Sequence, residues 1–174
     1  MYIPHENICM DWEDTEVNYI AGTPFVGANV IMKAGPGGFR GLFTAWDPVN
    51  HKIVWQLKED LPVWSGALVT AGDLVFYGTM DGWFKAVDAK TGELKWKFKT
   101  GSGIIGQPVA YRGPDHREYV AVLSGVGGWS GAIVANNLDP GDPTAALGFV
   151  GAMTDLKQKS TVGGTLYVFA LPTS

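Results

Sequence analysis

The chain has 174 residues, 46% of them hydrophobic, with 17 acidic against 13 basic side chains and a formal net charge of −4. That length and composition fit one ordinary globular unit, and the acidic balance with scattered lysines and arginines excludes a nucleic-acid surface. No apolar run reaches transmembrane length, and Met1-Tyr-Ile-Pro-His lacks the basic start and apolar stretch of a secretory signal.

The 24 glycines and seven tryptophans, with few charges, suit short strands and tight turns rather than helices. Residues 1–40 read as irregular, with a loop at Gly35–Gly38 and a strand over Phe25–Met32 interrupted at Gly27. Cys9 is the lone cysteine, so no disulfide can form within the chain. It reads either as a small buried thiol or as half of a bridge whose partner lies elsewhere. Glu13-Asp14-Thr15-Glu16 lacks further ligands and reads as a solvated turn rather than a metal loop. From residue 41 the strands become regular. Leu42–Asp47 and Lys52–Leu57 form a hairpin. Ala67–Thr70, Leu74–Gly78, Phe84–Asp88 and Leu94–Lys99 follow as four consecutive strands, one complete sheet over about residues 66–100. A last unit, about residues 106–171, has strands over 107–112, 118–124 and Thr165–Leu171 and lacks a fourth. Its connection from Gly125 to Gly164 reads as a long insertion without regular structure, and such loops are often functional.

One motif is written twice. Ala86-Val-Asp88-Ala-Lys-Thr91-Gly92-Glu-Leu-Lys-Trp96 is the clean copy; Ala45-Trp-Asp47-Pro-Val-Asn50-His51-Lys-Ile-Val-Trp55 is the worn one. The aspartate caps turn amides, Gly92 or His51 takes a position where φ can be positive, and the tryptophan is large enough to wedge between neighbouring sheets. A strand–turn–strand repeated at a period of roughly 40 residues marks a β-propeller. The expected fold is therefore all-β, a partial propeller of about two and a half four-stranded blades. An open stack of blades exposes bare edges and an apolar side face, so the chain is expected to self-associate or to need other blades beside it.

Among candidate sites, Gly101-Ser-Gly103-Ile-Ile-Gly106 matches a dinucleotide fingerprint, but strand-like Gln107–Tyr111 follows where a helix is required. His5, His51 and His116 are dispersed, and the latter two fall in turns. No zinc spacing or nucleophile elbow occurs. Two segments stand out: Leu61-Pro-Val-Trp64-Ser-Gly66-Ala67 and Ser124-Gly-Val-Gly-Gly128-Trp129-Ser-Gly131. Each sets an indole among glycines, where backbone amides can approach a ligand closely. Together they suit a planar, anionic, oxygen-rich ring. The alternative is that both tryptophans are inter-blade wedges like Trp55 and Trp96.

The repeated unit resembles the tryptophan-docking motif of eight-bladed quinoprotein alcohol dehydrogenases. Val63-Trp64-Ser-Gly66, Asp73–Gly82 and Gly125-Val-Gly-Gly-Trp129 are similar to the C-terminal region of methanol dehydrogenase large subunits. Asp142–Met153 and Gly163–Phe169 look more like the lanthanide-dependent than the calcium-dependent type. The resemblance implies a periplasmic oxidoreductase holding pyrroloquinoline quinone (PQQ) and a lanthanide ion or Ca²⁺. It oxidises a primary alcohol, passes electrons to a c-type cytochrome, and is a homodimer when full-length. Trp64, Gly128 and Trp129 would line the PQQ pocket. The family's catalytic base and metal ligands have no counterpart here, so the chain is expected to supply one wall of the pocket and not to be catalytic alone. Cys9 matches a family cysteine that bonds to one further upstream. The rival is a non-enzymatic propeller scaffold of the same repeat type, which binds protein partners.

Overall fold

A computed structural model describes residues 1–16, 21–22 and 27–171. The part of the expected Phe25–Met32 strand before Gly27 lies outside these residues. Twelve strands form four antiparallel sheets among the described residues. In the first blade β1 (Tyr2–Glu6), β4 (Gly41–Asp47) and β5 (Lys52–Glu59) lie in that order. Between β1 and β4 the chain leaves as a hairpin, β2 (Ile8–Asp14) and β3 (Ala28–Ala34). The middle blade is complete: β6 (Leu68–Val69), β7 (Leu74–Gly78), β8 (Trp83–Asp88) and β9 (Leu94–Lys99) follow in sequence order. The last blade contains β10 (Val109–Arg112), β11 (Glu118–Ser124) and β12 (Thr165–Ala170).

Both motif turns form as the residue types require. Asp88 Oδ1 accepts from the amides of Lys90 and Thr91, each at 2.9 Å. Asp47 Oδ1 accepts from Val49 and Asn50. These bonds hold both carboxyls below the usual range, Asp88 chiefly through the Thr91 amide and Asp47 chiefly through the Asn50 side chain. Gly92 has φ +74°, and His51 takes the same left-handed region at φ +50°. The Trp55 indole then docks on the clean turn of the next blade. Its Nε1–H donates to Ala89 O at 3.1 Å, and a Cβ on Gly92 would stand 2.8 Å from the ring. The blade-to-blade core is Phe43, Trp55, Val63, Val75, Tyr77 and Val87. Trp96 lies on the opposite side of the middle blade. It is 38% exposed and meets Phe169 edge-on at 5.1 Å. Leu94 and Phe98 on β9, and Leu166 and Val168 on β12, are exposed too, which is the bare apolar surface expected of an open stack.

Three readings of the sequence are corrected. Residues 1–40 contain three strands rather than irregular chain, because β1 pairs with β4 over five residues, from Tyr2↔Ala45 to Glu6↔Gly41. A strand whose partner lies so far along the chain leaves no local hairpin signal. The Gly125–Gly164 connection is not structureless: it holds α1 (Gly128–Ala135), a 3₁₀ segment at Ala145–Met153 and α2 (Leu156–Lys159). Nor is Cys9 buried; it is an exposed free thiol on β2, whose outward face has no cover among the described residues.

The motif turns join third and fourth strands, so β1 is a second strand and the two excursions leave between second and third strands. In an up-and-down sheet those loops emerge at the same end as the links that run from one blade's fourth strand to the next blade's first. Trp64, Gly103, Met80, the β2–β3 hairpin and the helical excursion therefore share one end of the molecule. There they build a separate apolar layer of Leu61, Met80, Val126, Ile133, Phe149, Met153 and Leu156, among others.

Candidate functional site

Trp64 lies on the link between β5 and β6. Leu61, Val63 and Ser65 beside it are 1–2% exposed, which fixes the link as an edge of the core. Ser65 Oγ accepts from the Gly78 amide at 2.7 Å and donates to its carbonyl at 3.0 Å, locking the link onto β7. Gly66 is needed for close approach, since a Cβ there would meet Gln107 of the neighbouring link at 2.5 Å. The Trp64 indole is partly buried and oriented from two sides. Its Nε1–H donates to the Glu6 carboxylate at the end of β1. One face stacks on Phe149, with centroids 5.1 Å apart and planes 14° from parallel.

Gly128 and Trp129 open α1 rather than lying in a loop. The helix starts at Gly127 with no side-chain cap and no acidic residue in its first turn. Its leading amides are thus free of side-chain partners, and Gly127 and Gly128 have nothing within 4 Å of where a Cβ would stand. Gly128 has φ +56°, and Trp129 is 48% exposed. Neither Trp64 nor Trp129 is a wedge between sheets. Ile133 and Val134 of α1 enter the same apolar layer that Trp64 packs on. The glycine-rich 101–106 segment is an inter-blade link: no helix begins there, and Gly103 sits against the Met80 carbonyl, where a Cβ would be 2.2 Å away. Its amides are used internally, by Thr79 O for Ile104 and Ser160 Oγ for Gly103.

Glu6 and Phe149 are the neighbours that sequence reasoning missed. Glu6 sat in a stretch read as irregular, and Phe149 reaches Trp64 across 85 positions (149 − 64) with no local motif to announce it. Phe149 follows three consecutive left-handed residues, Ala146, Leu147 and Gly148. Gly148 packs so tightly on β3 that a Cβ would fall 1.7 Å from Val30 O. The excursion is also clamped to the first blade. Arg40 donates to Asp155 through Nη1 at 2.5 Å and Nη2 at 2.8 Å, to Ala152 O at 2.8 Å and to Asp60 O at 2.6 Å. Among the described residues no group of three or more His, Cys, Asp or Glu side chains is placed to hold a metal ion, and no helix is long and apolar enough to cross a membrane.

Residues 40–120 match the family model described as glucose/ethanol/alcohol dehydrogenase, beta-propeller domain. Over 98% of its length the chain is 56% identical to the lanthanide-dependent methanol dehydrogenase of Methylacidiphilum fumariolicum and 49% identical to that of Methylorubrum extorquens, covering 29% and 28% of them. It is 45% identical over 95% of its length to methanol dehydrogenase [cytochrome c] subunit 1 of Paracoccus denitrificans, covering 26% of it. Among solved structures, a europium-containing methanol dehydrogenase superposes with a TM-score of 0.91 at 55% identity, over 98% of this chain and 30% of that one. The quinohemoprotein alcohol dehydrogenase of Comamonas testosteroni gives 0.67 at 29% identity, over 97% and 23%. The chain thus spans less than a third of these relatives, and in repeat, fold and sequence it is similar to a propeller segment of the lanthanide-dependent methanol dehydrogenases.

Proposed function

We propose that this chain supplies one wall of a PQQ pocket in a methanol-type dehydrogenase of the lanthanide-dependent class, with Trp64, Gly128 and Trp129 against the cofactor. The observation that carries this reading is the uncapped, side-chain-free start of α1 beside an exposed indole. Free helix-start amides favour an anionic group, and the flat face of Trp129 favours a planar ring. That donor set suits a flat tricarboxylate. Bound there, the quinone would accept the electron pair of a primary alcohol, while this chain's residues would orient it and exclude water. The metal is a different case. The described residues offer it no ligand set, so a lanthanide or calcium ion would have to be held by other segments of a complete propeller. The remaining blades, a c-type cytochrome as electron acceptor, a periplasmic location and a homodimeric full-length enzyme follow from the same reading.

The test is substitution of this chain for the matching segment of the Methylacidiphilum enzyme. The chimera is expected to keep its quinone through gel filtration and to oxidise methanol. Trp64→Ala in it should lower quinone retention about tenfold, a loss of roughly 1.4 kcal/mol of binding, while the melting temperature stays within a few degrees. A folded chimera that holds no quinone refutes the reading.

A further inference from the structure

The Trp64 indole is oriented by two groups that arrive from opposite ends of the chain. The Glu6 carboxylate accepts from the indole's only N–H, and Phe149 stacks on one of the ring's faces. An indole has a single donor and no acceptor, so once the N–H is committed the ring has only its second face and its edge to offer. Both partners are themselves held. Glu6 ends β1, paired opposite Gly41. Gly41 in turn is pressed on the link that carries Trp64, since a Cβ there would stand 2.1 Å from Leu61 O. Phe149 is 3% exposed and follows the left-handed run at Ala146–Gly148. Non-glycine residues in that region cost about 1–2 kcal/mol each, and such strain persists only where the surroundings enforce it. Here the enforcement is visible: Gly148 lies on Val30 O and Gly151 on Met32 O.

We propose that Glu6 and Phe149 are positioning residues for the ligand pocket, which set Trp64 as an apolar wall and withhold its N–H from the ligand. This rests on the quinone-pocket reading above and adds to it which part of the ligand meets Trp64. The indole receives the ring system, and the carboxylates are left to the backbone amides at the start of α1. A fixed carboxylate at Glu6 also disfavours a ligand carboxylate at that edge, because two like charges repel.

The proposal is tested on the full chain with ¹⁵N-labelled tryptophan, the Trp64 resonance being assigned by its loss in Trp64→Phe. Without ligand, Glu6→Leu is expected to move the Trp64 Nε1–H signal upfield and to speed its exchange with solvent, whereas Glu6→Gln, which keeps an acceptor, leaves it nearly in place. Phe149→Leu is expected to move the Trp64 ring signals by loss of the stacked ring. On titration of the chimera with PQQ, Trp64→Phe, which keeps an aromatic wall but loses the Glu6 anchor, should bind more weakly than wild type, by less than the roughly tenfold loss of Trp64→Ala. In a double-mutant cycle, Glu6→Leu should weaken the wild type but add nothing to Trp64→Phe, which has no N–H for Glu6 to hold. A Trp64 signal indifferent to Glu6→Leu and Phe149→Leu overturns the proposal whatever PQQ does. Loss of PQQ binding in Trp64→Phe as complete as in Trp64→Ala also overturns it, because the N–H would then be a ligand donor. The ligand-free shifts decide the two contacts whether or not this single wall holds PQQ by itself, and a folded chimera that holds no quinone fails the quinone reading without touching them.

Discussion

The clamp between the helical excursion and the first blade gives the sharpest quantitative test. Arg40 is only 11% exposed at its side chain, and Asp155 is 38% exposed. Replacing Arg40 with Leu removes a bidentate ion pair and two bonds to carbonyls, of Ala152 and Asp60. Breaking a buried pair costs about 3–5 kcal/mol, but Asp155 is partly solvated and keeps Lys159 at 2.8 Å, so its share is screened. A cost of about 3 kcal/mol follows, which at ~2–4 °C per kcal/mol for a chain of this size lowers the melting temperature by about 10 °C. The pH dependence has a definite sign. Asp155 is held well below the usual carboxylate range, chiefly by the hydrogen bonds from Arg40. A carboxyl depressed in the folded state adds stability that is fully present above its unfolded value of about 4 and is lost as pH falls through the folded one. Calorimetric melts of wild type and Arg40→Leu should therefore differ most at neutral pH and begin to narrow below about pH 4, leaving in acid the part due to the carbonyl bonds. Melting within about 2 °C of wild type at neutral pH, or a gap that does not narrow in acid, refutes the clamp.

Trp55→Ala should cost about 3–5 kcal/mol, read as a drop in urea midpoint, because the indole is 9% exposed and fills the seam between blades; Trp55→Phe should recover most of that loss, and equal losses would mean that the Ala89 bond and not packing holds the seam. Gly148→Ala should unseat the excursion, since its Cβ has no room beside Val30 O, while Gly128→Ala meets open space at φ +56° and should cost about 1 kcal/mol. Similar thermal shifts in the two glycine variants would contradict that contrast.

How much of this was legible in the sequence depended on range. The docking turns are local: Asp88, Thr91 and Gly92 announce their geometry within five residues, and Trp55 and Trp96 follow at fixed spacing. Strands β7 and β9 were readable to the residue because each is bounded by turn-forming dipeptides. β1 was not, because its partner β4 is reached only after the β2–β3 detour. The 3₁₀ segment was hidden for a different reason. Ala146 and Leu147 adopt left-handed backbone that their side chains disfavour, so only the shape of β3 beneath them dictates it. Local preference and tertiary packing disagree there, and packing wins.

That disagreement explains why the candidate site could be half read. Trp64 and Gly128-Trp129 declare themselves by composition, an indole set among glycines, and the alternation of strands suffices to put both at one end of the blades. The Trp64 indole is oriented there by Glu6, at the end of β1 where the first excursion leaves, and by Phe149, on the second excursion; the two excursions are inserted at the same point of two blades, with the complete middle blade between them. Its own loop at that point is the tight Thr79–Gly82 turn, closed by Gly82 N–H to Thr79 O at 2.9 Å. A short turn there leaves space above the middle blade, and the neighbours' excursions fill it and meet: Gly148 and Gly151 press on Val30 and Met32, while Arg40 grips Asp155. Lengthening the middle turn would drive the excursions apart and release the Trp64 indole, without altering any residue that touches it.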